Sequence, residues 1–348
     1  MSTVTYKCPN CDAGLVFSPE KQRFVCEFCI SDFTEEELKA GGSDTRADQE
    51  ERENTEFSSQ INEYSCPSCG AEIIADVNTL ADICCYCHNP IVISSRSSGT
   101  LRPSKIIPFK FDKAEAKESF LRFAKKKWFA PKDYASAQNA ENITGIYYPF
   151  WVTDADTEAN MDADATIVRH WRAGDYAYTE TSRYGLVRGG DIHFEDITSC
   201  AISTEDKAML EGILPYPSDC HIDFSMPYLQ GFIAKKRDVD REALTDTVRD
   251  RMHSYAESLL RDTIVGYDTV TPKSTGIRIN KSHWEYTLMP VWLLSYSHKG
   301  KKFTYAMNGY TGKVYGELPV SIPKLAALFG IVFGVALAIA MLLGYFAF

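Results

Sequence analysis

The sequence predicts an α+β protein with two N-terminal zinc ribbons, a mixed helix and antiparallel-sheet cytoplasmic domain, and one C-terminal transmembrane helix. Three observations lead there. One four-cysteine pattern occurs twice near the N-terminus, helical and alternating hydrophobic periods share the middle of the chain, and the C-terminal 24 residues carry no charge. A chain of 348 residues, 45% hydrophobic, has room for two small modules and one larger domain. The expected boundaries are 1–38 for the first ribbon, 39–61 for an acidic flexible linker and 62–95 for the second ribbon. The α+β domain then takes 96–322, with an internal duplication within it, and the membrane helix takes 323–348.

The ribbons rest on spacing. "YKCPNC" (Tyr6–Cys11) and "VCEFC" (Val25–Cys29) give C-x2-C-x14-C-x2-C. "YSCPSC" (Tyr64–Cys69), read with Cys84 and Cys87, repeats that spacing 58 residues later. In "DICCYCHNP" the repeat selects Cys84 and Cys87, leaves Cys85 spare and puts His88 outside the ligand set. Each C-x-x-C turn points both sulfurs to one side, so two turns can surround Zn2+ tetrahedrally at about 2.3 Å per bond. The predicted ligands are therefore Cys8, Cys11, Cys26 and Cys29 for one structural zinc ion, and Cys66, Cys69, Cys84 and Cys87 for a second. Four thiolates leave no open coordination position, and modules with almost no core draw most of their folding energy from the metal. "CPNC" and "CPSC" also resemble redox dithiols, but redox chemistry needs one pair opening a helix, not four pairs at a repeated interval. Cys85, Cys200 and Cys220 are too scattered for a disulfide framework, which points to a reducing compartment. Met1 leads into a polar stretch, so no signal peptide is expected.

Between the ribbons, "KAGGSDTRADQEERENTEFSSQ" (Lys39–Gln60) is acidic and poor in apolar residues, hence the expected flexible linker. Thr34 and Glu37 before it have capping-box spacing. In the main domain, Asp112 and Glu115 cap a predicted helix reaching Trp128, with Phe120, Phe123 and Ala124 inward. A second helix follows Asp240, where Leu244, Val248, Met252, Tyr255 and Leu259 recur at helical spacing. From Trp151 to Trp171 the period is two: Asp154, Asp156, Glu158, Asp162 and Asp164 share one parity, and Ala155, Ala159, Met161, Ala163, Ala165 and Ile167 the other. That is a long strand with one acidic face. A calcium loop does not fit those acids, because the Gly and bidentate Glu positions hold Ala159 and Ala165. "RAGD" (Arg172–Asp175) turns the chain into a second strand, Tyr176–Arg188. "YYPFWV" (Tyr147–Val152) is echoed by "LMPVWL" (Leu288–Leu293), each after a helix and opening a hairpin, hence the expected duplication.

Leu325–Phe348 is long enough to cross a hydrocarbon core of about 30 Å. The lysines on its N-terminal side place the preceding residues in the cytoplasm. The expected location is the cytoplasmic membrane, single-pass and tail-anchored, with residues 325–348 in the bilayer. Gly330 and Gly334 form a G-x-x-x-G motif through which helices pair, giving an expected route to a homo-oligomer.

Catalytic patterns are missing from the sequence. "GYTGKV" lacks the spacing of a phosphate loop, and neither H-E-x-x-H nor G-x-S-x-G occurs. Cys220 beside His221 reads as a buried thiol next to a surface imidazole. Nucleic-acid binding by the ribbons is disfavoured. Residues 1–99 carry the whole net charge of −10, whereas phosphate recognition needs a positive footprint.

"YKCPNC…FVCEFC", "IYYPFWV", "PYLQGFIAKKRDVD", "MPVWLLSYSHKGKKFTYAMNGYTGKVYGELP" and the apolar tail together resemble the bacterial YdjG-like membrane proteins. That family is described as carrying a general-transcription-factor-IIB-type zinc ribbon, or loosely as primosomal helicase PriA-like; helicase motifs are absent from this sequence. The resemblance spans nearly the whole chain and implies an envelope-stress role with SPFH-domain and phage-shock-type protein partners. Ile30, where such a knuckle often has Gly, departs from the pattern. The expected function is a non-enzymatic, membrane-anchored zinc-ribbon adaptor that docks protein partners. The alternative is a membrane-tethered nucleic-acid-binding or replication-associated protein.

Overall fold

Alternating polarity after Trp151 demands a strand, and the computed structural model shows how far it runs. The structure describes residues 8–11, 13, 15–18, 23–26, 28–34, 37, 44–76, 83–87, 89, 92–96, 101–131, 133–203, 207–229, 232–298 and 300–347. The first ribbon contributes β1 (Leu15–Ser18), β2 (Arg23–Cys26) and β3 (Asp32–Phe33), an antiparallel sheet of its own. Helix α1 (Asp44–Ser59) leads to β4 (Ile61–Ser65), β5 (Glu72–Asp76) and β6 (Val92–Arg96). Then come β7 (Lys105–Ile106), α2 (Lys113–Lys125) and α3 (Ala137–Glu141). Two long strands follow, β8 (Thr144–Ala173) and β9 (Tyr176–Cys200), then α4 (Lys207–Ile213), β10 (Ile222–Asp223) and β11 (Ile233–Lys235). The chain ends with α5 (Arg241–Asp262), β12 (Thr269–His298), β13 (Lys301–Asn308), β14 (Val314–Gly316) and α6 (Ile322–Ala347).

Strands β4 to β14 join in one sheet, ordered β10-β7-β12-β8-β11-β5-β4-β6 along its path, with β9 on β8 and β13 and β14 continuing from β12. Its spine is the antiparallel β8–β12 ladder, from Thr144 opposite Leu293 out to Thr166 opposite Thr269. The two echoed motifs lie across this ladder, with Tyr147 opposite Pro290 and Pro149 opposite Leu288. Strand β9 flanks β8 as far as Ala173 opposite Tyr176. Gly174 closes that hairpin at φ 62°, a left-handed turn that glycine adopts without steric cost. At about 3.4 Å per residue, a 30-residue strand is on the order of 100 Å long, so β8, β9 and β12 project as an arm.

The period-two reading of the arm holds. Ala155, Thr157, Ala159, Met161, Ala163 and Ala165 are buried, while Asp156, Glu158, Asp162 and Asp164 are exposed. The small buried side chains let α5 lie on that face through Val248, Met252, Ala256 and Leu260, one residue per turn. This differs from the expected inner face, because Tyr255 and Leu259 are each 51% exposed. Hydrophobic spacing located α5, but two apolar stripes compete on it, and the alanine-lined arm accepts the narrower one. Helix α2 starts as expected: Glu115 N donates to Asp112 Oδ1 at 2.8 Å, and Asp112 N donates to Glu115 Oε2 at 2.9 Å. It ends at Lys125, short of Trp128, and buries Ala116, Phe120 and Ala124.

Two expectations need correction. Residues 44–59 of the stretch expected as a flexible linker form α1, whose Phe57 is buried against Phe224 with ring centroids 5.6 Å apart. The good helix formers in that acidic stretch gain an apolar anchor at one end, which a composition argument misses. The C-terminal residues are helical as α6. Among the described residues no helix is long and apolar enough to cross a membrane. The expected transmembrane helix is corrected accordingly, and with it the single-pass, tail-anchored location at the cytoplasmic membrane.

Candidate metal centres

Four short turns bring the eight predicted cysteines into two clusters, Cys8, Cys11, Cys26 and Cys29, and Cys66, Cys69, Cys84 and Cys87. Within each cluster the four sulfurs all lie within 4.8 Å of one another. The close pairs are Cys8–Cys29 at 3.4 Å, Cys11–Cys26 at 3.3 Å, Cys66–Cys87 at 3.4 Å and Cys69–Cys84 at 3.6 Å. Sulfurs about 2.3 Å from a tetrahedral ion stand roughly 3.8 Å apart, so both sets fit zinc. The Cys8/Cys11/Cys26/Cys29 set would hold one ion and the Cys66/Cys69/Cys84/Cys87 set another.

The backbone explains why the spacing works. The first cysteine of each turn donates its N–H five residues ahead: Cys8 to Ala13 O, Cys26 to Ser31 O, Cys66 to Ala71 O and Cys84 to Asn89 O, all at 2.8–2.9 Å. Each bond folds its turn back so that both sulfurs face one point. Ile30 N and Gly70 N close a further ring onto Cys26 O and Cys66 O at 2.9 Å. Both residues sit in the left-handed region, Gly70 at φ 72° and Ile30 at φ 60°. The departure noticed at Ile30 is thus a real structural oddity: a β-branched residue holds a conformation suited to glycine.

Cys85 stays out of the second cluster, as the repeat indicated. It is 4% exposed and lies in the core formed by Tyr64, Ile73, Tyr148 and Ile233. Its hydrogen bond to Cys84, and then its burial, push its thiol well above the usual range, so it remains protonated. The same hydrogen bond leads the causes that bring Cys84 down to about 4. Cys85 is therefore a donor to a ligand sulfur. His88 lies outside the described residues.

The clusters differ in setting. In the first, all four cysteines are buried, while in the second Cys69 is exposed and Cys87 half-buried. The first ribbon rests on the arm: Phe28 meets Trp284 with centroids 5.8 Å apart, the Arg249 guanidinium lies 5.8 Å from the Phe28 ring centre, and Ser282 N donates to Asn10 O at 3.0 Å. The second is built into the main sheet, because β5 pairs with β11. Tyr86, between two ligands, shares a 2.9 Å hydroxyl hydrogen bond with Tyr148, and Lys235 and Lys302 lie 5.1 and 4.6 Å from its ring centre. Sequence reasoning missed these supports, although the aromatic residue inside the second C-x-x-C was a visible signal.

Away from the clusters, Cys220 is buried with its Sγ 2.8 Å from Pro217 O. His221 is not the surface imidazole expected, since its side chain is 10% exposed and faces Asp196 at 4.0 Å. Gly330 and Gly334 lie on α6 with open space where a Cβ would stand.

Comparison with known proteins gives one informative relative. A Bacillus subtilis (strain 168) protein named "Uncharacterized protein YdjG" is 33% identical over 342 residues, which cover 97% of this chain and 96% of that one. No family model matches the chain. No solved structure matches it either. Near end-to-end similarity of this kind, across ribbons, arm and tail alike, makes the chain a member of the YdjG family.

Proposed function

We propose that this protein is a non-enzymatic zinc-ribbon adaptor that docks protein partners. One observation carries the reading: each cluster uses four sulfurs, all within 4.8 Å of one another, so an ion bound there has no open position for substrate or water. Such centres serve shape. The second ribbon offers a rigid exposed knuckle, Pro67 to Gly70, held by a metal site on one side and the main sheet on the other. The acidic N-terminal region favours a protein partner over nucleic acid, which requires positive charge. SPFH-domain and phage-shock-type proteins are the partner classes we propose, on the resemblance drawn from the sequence motifs. Affinity capture from nuclease-treated extracts, with the full chain and with Pro67→Arg/Ser68→Glu, tests the reading. The variant should lose specific proteins while keeping its zinc. Partners unaffected by the variant, or recovery dominated by nucleic acid when nuclease is omitted, would refute it.

A further inference from the structure

Among the described residues the arm has two long edges that pair with no further strand over most of their length, and they are built differently. On the β12 side the ladder to β8 is broken between Pro272 and Ser274 and again between Ile279 and Lys281. Pro272, Lys273 and Lys281 lie along that edge, and the first ribbon takes Ser282 N for Asn10 O. Bulges, proline, lysine and a covering loop are the devices that stop an edge from recruiting another strand. On the β9 side the ladder runs without interruption from Tyr176 to Phe194, and its register shift comes only near the root, opposite Thr153/Ala155. That stretch contains no proline and no lysine. Val187, within it, is 70% exposed between Gly185 and Gly189 on the same face. Its carbonyl is turned outward far enough to accept from Arg188 Nη1 at 3.0 Å.

The sequence of this edge is also complementary to itself. In an antiparallel pairing centred on Val187, Arg183 falls opposite Asp191, Tyr184 opposite Gly190 and Gly185 opposite Gly189. Arg183 and Asp191 are exposed and share the face that carries Val187. No like charges meet between Glu180 and Phe194 in this register. Arginine against aspartate and an aromatic ring over a glycine are both favourable cross-strand pairs. Centring on the gap between Val187 and Arg188 instead would lose the Arg183–Asp191 match and set Glu180 against Glu195.

We infer that the outer edge of β9 is a self-association surface, on which a second copy of this chain pairs antiparallel about a two-fold axis at Val187. Fifteen residues of edge, Glu180 to Phe194, amount to about 50 Å of ladder. The two sheets become one, and the free edge of each copy is satisfied by the other. This inference stands apart from the adaptor reading and concerns a different part of the molecule.

Charge exchange tests it on the full-length chain. Sedimentation of the wild type should show a dimer. Arg183→Asp places two aspartates opposite each other at both symmetric positions, and Asp191→Arg does the same with arginines, so either should weaken the dimer about tenfold or more. The double exchange, Arg183→Asp with Asp191→Arg, restores both pairs and should restore the dimer. Val187→Pro removes an edge N–H at a position where proline does not interrupt the β8–β9 ladder, and it should give a monomer with unchanged zinc content and circular dichroism. A wild-type chain that stays monomeric at about 0.1 mM overturns the inference. So does a dimer indifferent to the single exchanges, or a double exchange no better than either one alone.

Discussion

Cys84 and Cys85 are adjacent, both buried and chemically identical, yet the structure gives them different tasks, so exchanging each for serine should separate them. Cys84 lies 3.6 Å from Cys69 Sγ inside the second cluster. Cys84→Ser replaces one of four thiolates with a hydroxyl that stays protonated near neutral pH, and zinc should fall from about two ions per chain to about one. Cys85 hydrogen-bonds its neighbour Cys84, and a serine hydroxyl can donate in its place. Zinc content should stay at about two. The cost should sit near the lower end of the roughly 1–3 kcal/mol expected for a poorly paired buried hydroxyl, because the position is 4% exposed but a partner remains. Cys85→Ala keeps the volume small but deletes the donor, so zinc should dissociate faster without a change in stoichiometry. Metal analysis on chelator-washed protein gives the counts, release to a chromogenic chelator gives the rates, and thermal unfolding gives the stability. If both serine variants lose one zinc, Cys85 is a ligand and the repeated register is wrong. If Cys84→Ser keeps both ions, the second cluster does not bind metal as described.

Two further outcomes follow from local geometry. Gly70 sits at φ 72° with open space for 4 Å around the place a Cβ would take, so Gly70→Ala meets backbone strain alone; it should cost about 1–2 kcal/mol in denaturant unfolding, and no loss would mean the knuckle relaxes. His193 on the arm lies 2.6 Å from Asp156 and 3.4 Å from Glu195, and the hydrogen bond to Asp156 leads the causes that raise its pKa above 6.5. Since the folded-state pKa is the higher one, the stabilising contribution is full below the unfolded value and disappears as pH rises through the folded value. Asp156→Asn should move the His193 titration, followed by NMR, to lower pH; an unchanged midpoint would rule out the pair.

What could be read in advance was what depends on local spacing. The cysteine intervals identified all eight cluster members, since a C-x-x-C turn is shaped by its own hydrogen bonds. The strict alternation from Ala155 to Ala165 gave the long strand β8, and Gly174 gave its turn into β9, but not the pairing of β8 with β12. What escaped reading depends on residues distant in sequence. Phe28 reaches Trp284 and Asn10 reaches Ser282 across most of the chain, so the first ribbon resembles a free module until the arm is seen under it. Composition described residues 44–59 correctly as acidic but said nothing of Phe57 and its partner Phe224. Tyr255 and Leu259 misled because helical spacing identifies stripes without saying which one a neighbour covers. The apolar tail shows the same limit from the other side, where composition alone suggested a membrane span that no described helix provides.

The spine of the sheet also sets a timetable. Thr166 and Thr269 close the shortest loop of the ladder, 103 residues apart in sequence, and Thr144 cannot pair until Leu293 has been made. Such distant pairings form late and slowly. The first ribbon leaves the ribosome early, while Ser282 and Trp284 follow roughly 270 residues later, on the order of 10–50 s at ordinary synthesis rates. Throughout that interval Phe28 has no surface to rest on, and the ribbon must hold its shape with whatever its four sulfurs have captured. A metal ion held by those four sulfurs would supply the ribbon's shape until the late closure seats Phe28 on Trp284.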